Sequence, residues 1–566
     1  MQCYPISKSI GSRIQPSRSV IKILIPILLI CLIMTEAVSA QTTYWVSMDT
    51  EGNEADDVSY HPAISGDGRF VTFSSYATDL VPDDTNGVYD VFVHDLQTGE
   101  TTRVSVDSEG NQADNSSLWS SISADGRFVA FTSYADNLVP NDTSGADIFV
   151  HDRQTGETRR VSVNSAGDEA DKSSHWPAIS GDGRFVAFMS FATNLTPYDT
   201  NGYADIFVHD RETGETTRVS VDSAGNEADS YSDSPVISGD GRYIAYESKA
   251  TNLVSDDRNL SADIFVHDRE TGETTRVSVD SDGYEADGAS LSAAISGDGR
   301  FVAFASYATN LTLYDTNGYT DIFLHDRLTD ETARVSVDSD GYEADSLSGV
   351  PSISGDGRFV AFESYATNLV PHDTNGDSDV FEHDRKTGET IRVSVGTNAQ
   401  QANNDSSHPA ISTDGRYIAF QSFANNLVPG EITFHQSGEE IFVRGPLINE
   451  PLGITIDIAP RRDPNRIMPD RGRPAVAILT DESFDATRVD PATVRFGPAE
   501  AEPMNYRSID VDSDGDLDQV FYFLTEETGI ACGDTEATLT GVTFEGVAVT
   551  GSDSIITMGC QNVLAQ

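Results

Sequence analysis

The stretch PSISGDGRFVAFESYATNLVPHDTNGDSDVFEHDRKTGETIRVSVG, residues 351–396, decides the fold of this 566-residue chain. Its Asp-Gly-Arg triplet recurs every 57 or 58 residues, which is typical of a repeat architecture rather than of several unrelated domains. The seven triplets begin at Asp67, Asp125, Asp182, Asp240, Asp298, Asp356 and Asp414.

Each repeat predicts four short β-strands. Pro-x-Ile-Ser is the first, Phe-Val-Ala-Phe the second, Asp-Ile-Phe-Val-His the third and Thr-Arg-Val-Ser-Val the fourth. Gly-Asp-Gly-Arg forms a tight hairpin turn between the first two strands. The second and third strands are almost continuously apolar, as expected of a sheet that is covered on both faces. Four such strands per repeat predict a β-propeller blade, with a solenoid as the alternative.

Closure of the ring separates these two alternatives. Residues 43–49 match the fourth strand of the repeat, and the seventh repeat ends after its third strand, at residues 441–443. The N-terminal strand is therefore expected to complete the last blade and to leave no free sheet edge. We predict an all-β chain with a seven-bladed β-propeller closed by its N-terminal strand.

The run Ser-x-Asp-Gly-Arg-hydrophobic-Ala-Phe-x-Ser, followed by Asp-Ile-Phe-Val-His-Asp, resembles the TolB-like, WD-repeat-like β-propellers of exported bacterial proteins. The resemblance covers about residues 43–445. It implies a binding scaffold, although some such propellers accompany a peptidase domain and some relatives act on polysaccharides. A fold does not decide a function, so the site has to be argued from its own residues.

The repeats stop near residue 447, and the remaining chain has a different composition. Residues 454–458, 475–479 and 520–524 predict strands, and residues 537–558 alternate Thr, Val and Ile between Gly turns. This pattern predicts a small β-sandwich. The stretch is also similar to a C-terminal module of assorted secreted bacterial proteins, which implies export and a modular organisation.

Residues 1–40 predict a signal peptide, because basic residues precede an apolar run and small residues precede Gln41. The apolar run is short for a membrane span, so we expect no membrane insertion after cleavage. The mature protein is expected to be secreted or periplasmic, and to be a monomer. Cys532 and Cys560 remain after cleavage, and an even pair in an exported chain predicts a disulfide. The predicted domains are the signal peptide 1–40, the propeller 41–447 and the C-terminal module 448–566.

The charge of the chain excludes one class of partner. It carries 91 Asp and Glu against 36 Lys and Arg, a formal net charge of −55. A nucleic acid requires a Lys- and Arg-rich surface that releases counterions, so no nucleic-acid partner is expected. Anionic membrane surfaces are disfavoured for the same reason.

Alternating acids in the C-terminal module predict a calcium site. Carboxylates spaced around a Gly turn bring several oxygens onto one hard cation, as Ca²⁺ requires, and a solvated acidic turn is the alternative. These acids are Asp510, Asp512, Asp514, Asp516 and Asp518.

A weaker pattern lies between the second and third strands of four repeats. Its three side chains are able to supply part of the ligand set of a cation site. The alternative, which we favour, is an Asx turn whose last Asp starts the third strand. The residues are Asp84, Asn86 and Asp90; Asp199, Asn201 and Asp205; Asp315, Asn317 and Asp321; and Asp373, Asn375 and Asp379.

A ligand site is expected where the repeats differ. Three residues before the Ile of the first strand they carry His61, Trp119, Trp176, Ser234, Ser292, Val350 and His408. In a propeller this strand borders the central channel, so His408, His61, Trp119 and Trp176, with the adjacent His175, are expected to form an aromatic arc at the channel mouth. Such an arc stacks a sugar ring or a peptide aromatic. The alternative is that both Trp side chains pack between blades.

No catalytic motif is recognisable: there is no Gly-x-Ser-x-Gly elbow, His-Glu-x-x-His pair or P-loop. The His-Asp pairs that end six third strands are interpreted as turn structure. We therefore predict a secreted, non-enzymatic binding or scaffold protein for a peptide, protein or glycan, with calcium as cofactor. The alternatives are an extracellular polysaccharide-acting enzyme that uses the channel, and a structural, acidic cell-surface component.

Overall fold

The structure is a computed structural model that describes most of the chain between Thr42 and Met558. The described residues are 42–143, 145–197, 199–313, 315–396, 399–429, 438–446, 452–460, 465–469, 471–480, 484, 486–499, 501–512, 516–543 and 548–558. The predicted signal peptide, Asp514 and Cys560 lie outside these residues, so cleavage and the Cys532–Cys560 disulfide stay predictions. Within the described ranges, no helix is long and apolar enough to span a membrane.

Seven four-stranded antiparallel sheets form the repeat region, one for each Asp-Gly-Arg triplet, and we number these blades 1 to 7 in chain order. The first strands contact those of the neighbouring blades and are Ser59–Ile64, Ser117–Ile122, Ser174–Ile179, Ser232–Ile237, Ser290–Ile295, Ser348–Ile353 and Ser406–Ile411. The second strands are Phe70–Ser75, Phe128–Ser133, Phe185–Ser190, Tyr243–Ser248, Phe301–Ser306, Phe359–Ser364 and Ile418–Ser422. The third strands are Asp90–Asp95, Asp147–Asp152, Asp205–Asp210, Asp263–Asp268, Asp321–Asp326, Asp379–Asp384 and Glu440–Gly445.

The fourth strands show how the ring closes. In blades 1 to 6 they are Glu100–Arg103, Glu157–Arg160, Thr216–Arg218, Glu273–Arg276, Glu331–Arg334 and Glu389–Arg392. In blade 7 the fourth strand is Thr42–Trp45, which pairs antiparallel with the third strand so that Thr42 lies opposite Gly445. The predicted seven-bladed propeller, closed by the N-terminal strand, is confirmed.

The Asp-Gly-Arg turn joins each blade to the blade before it. In blade 4 the turn requires a positive φ of 71° at Gly241, and a Cβ at this position would overlap the ring of Phe185 from blade 3. The next residue, Arg242, donates two hydrogen bonds to Asp268, with N···O distances of 2.9 and 2.7 Å. Glycine is therefore needed for both the turn and the close approach of the neighbouring ring.

A circuit of backbone hydrogen bonds runs around the channel beside these turns. The N–H of Gly181 donates to the carbonyl of Gly239, and that of Gly239 donates to Gly297, each at 2.9 Å. The same contact repeats between all neighbouring blades, and Asp414 N–H closes the circuit on the Gly66 carbonyl at 3.2 Å. These bonds hold the seven first strands at a fixed distance from the axis.

The apolar core lies between the blades rather than within them. One cluster, for example, combines Ile148 and Val150 of blade 2 with Phe188 and Phe207 of blade 3. Because both faces of each third strand are covered, the almost continuous apolar sequence of these strands is explained.

The recurring His-Asp pairs lie at the buried ends of the third strands. Nδ1 of His209 is 2.9 Å from the Thr216 hydroxyl, and burial lowers the pKa of His209 to about 4. The adjacent Asp210 accepts two hydrogen bonds from Arg184 of the Asp-Gly-Arg turn. This geometry agrees with their interpretation as turn structure.

The C-terminal segment forms two further four-stranded sheets that face each other across one apolar core, as the predicted β-sandwich requires. One sheet contains Leu452–Gly453, Ala548–Ser554, Glu536–Val542 and Arg495–Phe496, and the other contains Ile456–Ile458, Ala475–Ile478, Asp518–Tyr522 and Asn505–Ile509. A two-stranded pair, Arg466–Ile467 with Ile556–Thr557, and two 3₁₀ turns, Ala486–Arg488 and Thr525–Glu527, complete it. The ion pair between Arg488 and Asp67, at 2.9 Å, joins this segment to blade 1.

Blade 6 places an acid in the core between blades. Glu382 occupies the third-strand position that is Val or Leu in every other blade, and it is 3% exposed. Its Oε2 has no hydrogen-bond partner in the described part of the chain. Burial, with a contribution from the charge of Asp384, raises the pKa of Glu382 to about 8.

We expect Glu382→Val to stabilise the protein, and more strongly at pH 8 than at pH 5. A carboxyl whose pKa is raised in the folded state costs stability as pH rises from its ordinary value to the raised one, by about 1.4 kcal/mol for each pH unit in that window. Urea unfolding at the two pH values measures this difference. Glu382→Gln is the control, since it removes the titration but leaves a buried polar group. Equal gains from Glu382→Val at both pH values would contradict the prediction.

Candidate functional site

The first strand of every blade contains a β-bulge at the position that the sequence comparison singled out. In blade 1, Tyr60 lies opposite Ser74 and Ala63 opposite Thr72, so two residues face one at His61. The bulge residue adopts a left-handed conformation in all seven blades. The φ values lie between 45° and 55° at His61, Trp119, Trp176, Ser234, Ser292, Val350 and His408.

The bulge is strained because none of these residues is glycine. A left-handed conformation costs a residue with a Cβ roughly 1–2 kcal/mol, and strain kept at one position in every blade is typical of a structural device that re-aims a side chain. In three blades, a polar side chain of the preceding blade accepts a hydrogen bond from the backbone N–H of the bulge residue. Gln421 accepts the N–H of His61 at 2.9 Å, Glu363 that of His408 at 3.0 Å and Glu247 that of Ser292 at 3.3 Å.

The structure brings the five predicted arc residues together. The rings of His408 and His61 are 5.4 Å apart, and those of His61 and Trp119 are 6.4 Å apart, measured between centroids. Trp119 then lies 6.1 Å from Trp176 and 5.9 Å from His175, in edge-to-face contacts. The side chains of blades 7, 1, 2 and 3 thus form a continuous aromatic arc, and Trp176 keeps 37% of its surface exposed.

Burial keeps two of the arc imidazoles neutral at physiological pH. It lowers the pKa of His61 to about 4, with a further contribution from the charge of His408, and it also lowers the pKa of His175. A neutral imidazole both donates and accepts a hydrogen bond. The arc therefore offers apolar ring faces beside uncharged polar groups.

Blade 4 presents acids in place of aromatic rings. Asp233 precedes the bulge residue Ser234 and lies opposite Glu247 in the adjacent strand. Burial, together with the hydrogen bond and the charge of Asp233, raises the pKa of Glu247 to about 8. Glu247 therefore keeps its proton near neutral pH, opposite the carboxyl of Asp233.

Two aromatic neighbours of the arc were missed by the sequence analysis. Tyr60 lies 6.2 Å from His61, and Tyr134 lies 6.0 Å from His175, between ring centroids. Tyr60 stands at the same repeat position as His175 and Asp233, one residue before the bulge, and that position also differs between blades. This variation between blades is the sequence signal that could have identified Tyr60.

The acids proposed as weak cation sites in the propeller surround an arginine. In blade 3, Nη1 of Arg218 lies 3.2 Å from Asp205, 2.6 Å from Glu227 and 3.9 Å from Asp199. Arg103 lies in the same way between Asp84 and Asp90. Equivalent pairs join Arg334 to Asp315 and Asp321, and Arg392 to Asp373 and Asp379.

The Asn of this pattern supports the Asx-turn interpretation. Its Oδ1 accepts a backbone N–H two residues later, as Asn317 does from Tyr319 at 2.6 Å and Asn86 from Val88 at 3.2 Å. The acids do converge: ligand atoms of Asp199, Asp205 and Glu227 lie within 4.8 Å of one another. A metal ion at such a cluster has to compete with the guanidinium, so cation binding here stays the less favoured alternative to the Asx turn.

In the C-terminal segment, carboxylate oxygens of Asp510, Asp512 and Asp518 lie within 4.8 Å of one another. Asp518 is fully buried, and its two oxygens accept the backbone N–H groups of Thr480 and Val511 at 2.9 and 2.7 Å. Three of the five predicted calcium ligands are thus placed together.

No protein-family model matches this chain, and no curated protein matches it either. Similar solved structures include an oligogalacturonate lyase in complex with manganese, at 14% identity and a TM-score of 0.44 over 72% of this chain and 96% of that one. A putative TolB from Agrobacterium tumefaciens is 17% identical, with a TM-score of 0.32 over 49% of this chain and 80% of that one. TolB from Acinetobacter baumannii is 16% identical, with a TM-score of 0.32 over 54% and 59%.

The assignment of seven blades rests on the strand order and on the closing register of this chain itself.

We expect Arg218→Gln to destabilise the protein by about 3 kcal/mol, because it leaves the buried Asp205 and its acidic neighbours without a counter-charge. A lower melting temperature in thermal unfolding measures this loss of stability. Because the variant no longer has a guanidinium that competes with a metal ion, millimolar Ca²⁺ is expected to raise its melting temperature more than that of the wild type. Arg258→Gln is the matched control, because Arg258 and its partner Asp256 are both exposed and 3.5 Å apart. A variant as stable as the wild type would show that the guanidinium does not hold this cluster.

Proposed function

We propose that this chain is an exported binding protein whose propeller holds a peptide, protein or glycan at the channel mouth. The observation that carries the proposal is the continuous arc of His408, His61, Trp119, Trp176 and His175, built on strained bulges and confined to four consecutive blades. Scaffold positions repeat around the ring, whereas this set does not.

The chemistry of the arc suits ligands with a flat apolar face and hydroxyl or amide groups at the edge. Tryptophan faces stack on the C–H surface of a sugar or on an aromatic side chain, and aromatic pairs of this kind are worth about 0.5–1.5 kcal/mol beyond the area they bury. The neutral imidazoles of His61 and His175 add hydrogen bonds without adding a charge that must be desolvated. Peptides, protein loops and glycans all offer this combination.

An extracellular enzyme that acts on polysaccharide is the second candidate. It is favoured by the two imidazoles of His61 and His408 at 5.4 Å and by Glu363, whose Oε2 lies 3.9 Å from Nδ1 of His408. Imidazole and carboxylate groups at this spacing are able to move protons on a bound substrate.

Calcium is proposed as a structural cofactor of the C-terminal segment, with Asp510, Asp512 and Asp518 as ligands. The support is their convergence and the alternation of acids through residues 510–518. Without a cation, this concentration of negative charge opposes the folded state, because neighbouring carboxylates repel each other.

We expect Trp119→Ala and Trp176→Ala each to weaken, by at least tenfold, the binding of a ligand identified on peptide and glycan arrays. The reason is that Trp side chains that become buried on binding carry much of the energy of an interface. Dissociation constants measured by calorimetry test this. Ser234→Ala and Ser292→Ala are matched controls at the same left-handed position of blades 4 and 5, and they are expected to leave binding within twofold. Unchanged binding in the double Trp variant would refute the channel-mouth site. Turnover of a polysaccharide that is lost in His61→Ala would support the enzyme instead.

Calcium is expected to raise the melting temperature of the wild type, and EGTA to lower it, because a cation that binds only the folded state adds about 2.7 kcal/mol at a hundredfold excess over its Kd. Asp512→Asn is expected to abolish the shift. The control is Asp282→Asn, which removes an equally exposed acid from a propeller loop. Equal melting temperatures of the wild type with calcium and with EGTA would rule this site out.

A further inference from the structure

The C-terminal segment contains a basic cleft in an otherwise acidic chain. Its volume is about 400 Å³, within the range of small-ligand sites. Arg466, Arg471 and Arg473 line it, and none of the described lining residues is an Asp or Glu. The sequence around the cleft, residues 460–474, has five Arg and two Asp, which reverses the overall balance of charge. The two acids, Asp463 and Asp470, lie outside the described residues.

These three arginines differ from the others that the structure describes in the same segment. Arg488 pairs with Asp67 and Arg495 with Glu502, at 2.9 and 3.1 Å, and Arg507 lies over the ring of Tyr522. The side chains of Arg466, Arg471 and Arg473, in contrast, form no ion pair or hydrogen bond within the described part of the chain. In a chain with 91 acids, three arginines that line one cleft and have no such partner in the described residues are left available for a ligand.

The backbone holds the three arginines around one opening. Arg466 lies on a short strand paired with residues 556–557, and the N–H groups of Ile556 and Met558 donate to the carbonyls on either side of it at 2.7 Å. The N–H of Arg471 donates to the Met468 carbonyl at 3.1 Å, which keeps these two lining residues close together. Gly472 follows with a φ of 122°, and its carbonyl accepts the N–H of Thr525 at 3.3 Å.

The residues that line the cleft differ in exposure. Ile467 and Thr525 are buried at 2% exposure, whereas Met468 is 44% exposed. The three arginines are exposed as well, and Ala459, which also lines the cleft, has a left-handed φ of 58°. A ligand in the cleft therefore meets the arginine side chains and Met468.

We propose that this cleft binds a small ligand through a carboxylate or phosphate group held by Arg466, Arg471 and Arg473. Guanidinium groups bind both oxyanions with paired, charge-assisted hydrogen bonds. The remainder of the ligand, about the size of a monosaccharide or a dipeptide, packs on the exposed side chain of Met468. The site is independent of the channel mouth, so its test does not depend on the function proposed for the propeller.

Calorimetric titration of the exported chain tests the proposal with two probes, succinate for carboxylates and inorganic phosphate for phosphates, and with glucose as the uncharged comparison. A salt concentration of about 0.15 M limits long-range repulsion from the acidic surface to distances of about 8 Å. We expect one-site binding of at least one anion and none of glucose. The preferred anion identifies which of the two groups the natural ligand carries.

Arg466→Gln/Arg471→Gln/Arg473→Gln is expected to weaken anion binding at least tenfold without changing the melting temperature. Arg495→Gln and Arg507→Gln, which remove a half-buried and an exposed arginine elsewhere in the segment, are expected to leave anion binding within twofold. If the triple variant is unstable, Arg471→Gln alone, in the exposed turn, is expected to weaken binding at least threefold. Absence of binding by both anions, or equal losses in the cleft and control variants, would overturn the proposal.

Discussion

The contact between each Asp-Gly-Arg turn and the aromatic ring of the preceding blade is the constraint on which the propeller depends. Gly241 has to adopt a positive φ and leave room for Phe185, while Arg242 has to reach Asp268. Because the ring of backbone hydrogen bonds lies beside the same turns, a change at one turn alters both the blade and its neighbour. This explains why the triplet repeats without exception while other positions vary.

Because the seven blades are so similar in sequence, the positions at which they differ are informative. The bulge of the first strand recurs in all seven blades, so the backbone offers seven equivalent, strained positions around the channel. Only the side chains at these positions distinguish one sector of the channel from another. Aromatic and imidazole groups fill the sector of blades 7 to 3, and Ser234, Ser292 and Val350 fill the remainder. The side chains that differ between sectors are thereby separated from the contacts that hold the ring together.

Much of the fold and part of the site were predictable from the sequence, for different physical reasons. The four strands follow from short-range patterns, and closure follows from the missing fourth strand of the last repeat. The arc was predictable because Trp119 and Trp176 stand at corresponding repeat positions in adjacent blades. The role of Gln421 was not predictable, because this residue of blade 7 accepts a hydrogen bond from the N–H of His61 in blade 1, 360 residues away in sequence. The arginine clusters were missed because Arg218 and Glu227 come from different segments of the repeat.

The sequence by itself determined the number of blades, the closing strand and the membership of the arc, since each depends only on order and spacing along the chain. Tertiary structure decided which charges meet. It placed Arg218 among three acids, Glu382 in an apolar core, and Arg466, Arg471 and Arg473 around one cleft without acidic partners among the described residues. The physical reason is that electrostatic interactions depend on distance and burial in three dimensions, and residues far apart in the sequence become neighbours only when the chain folds.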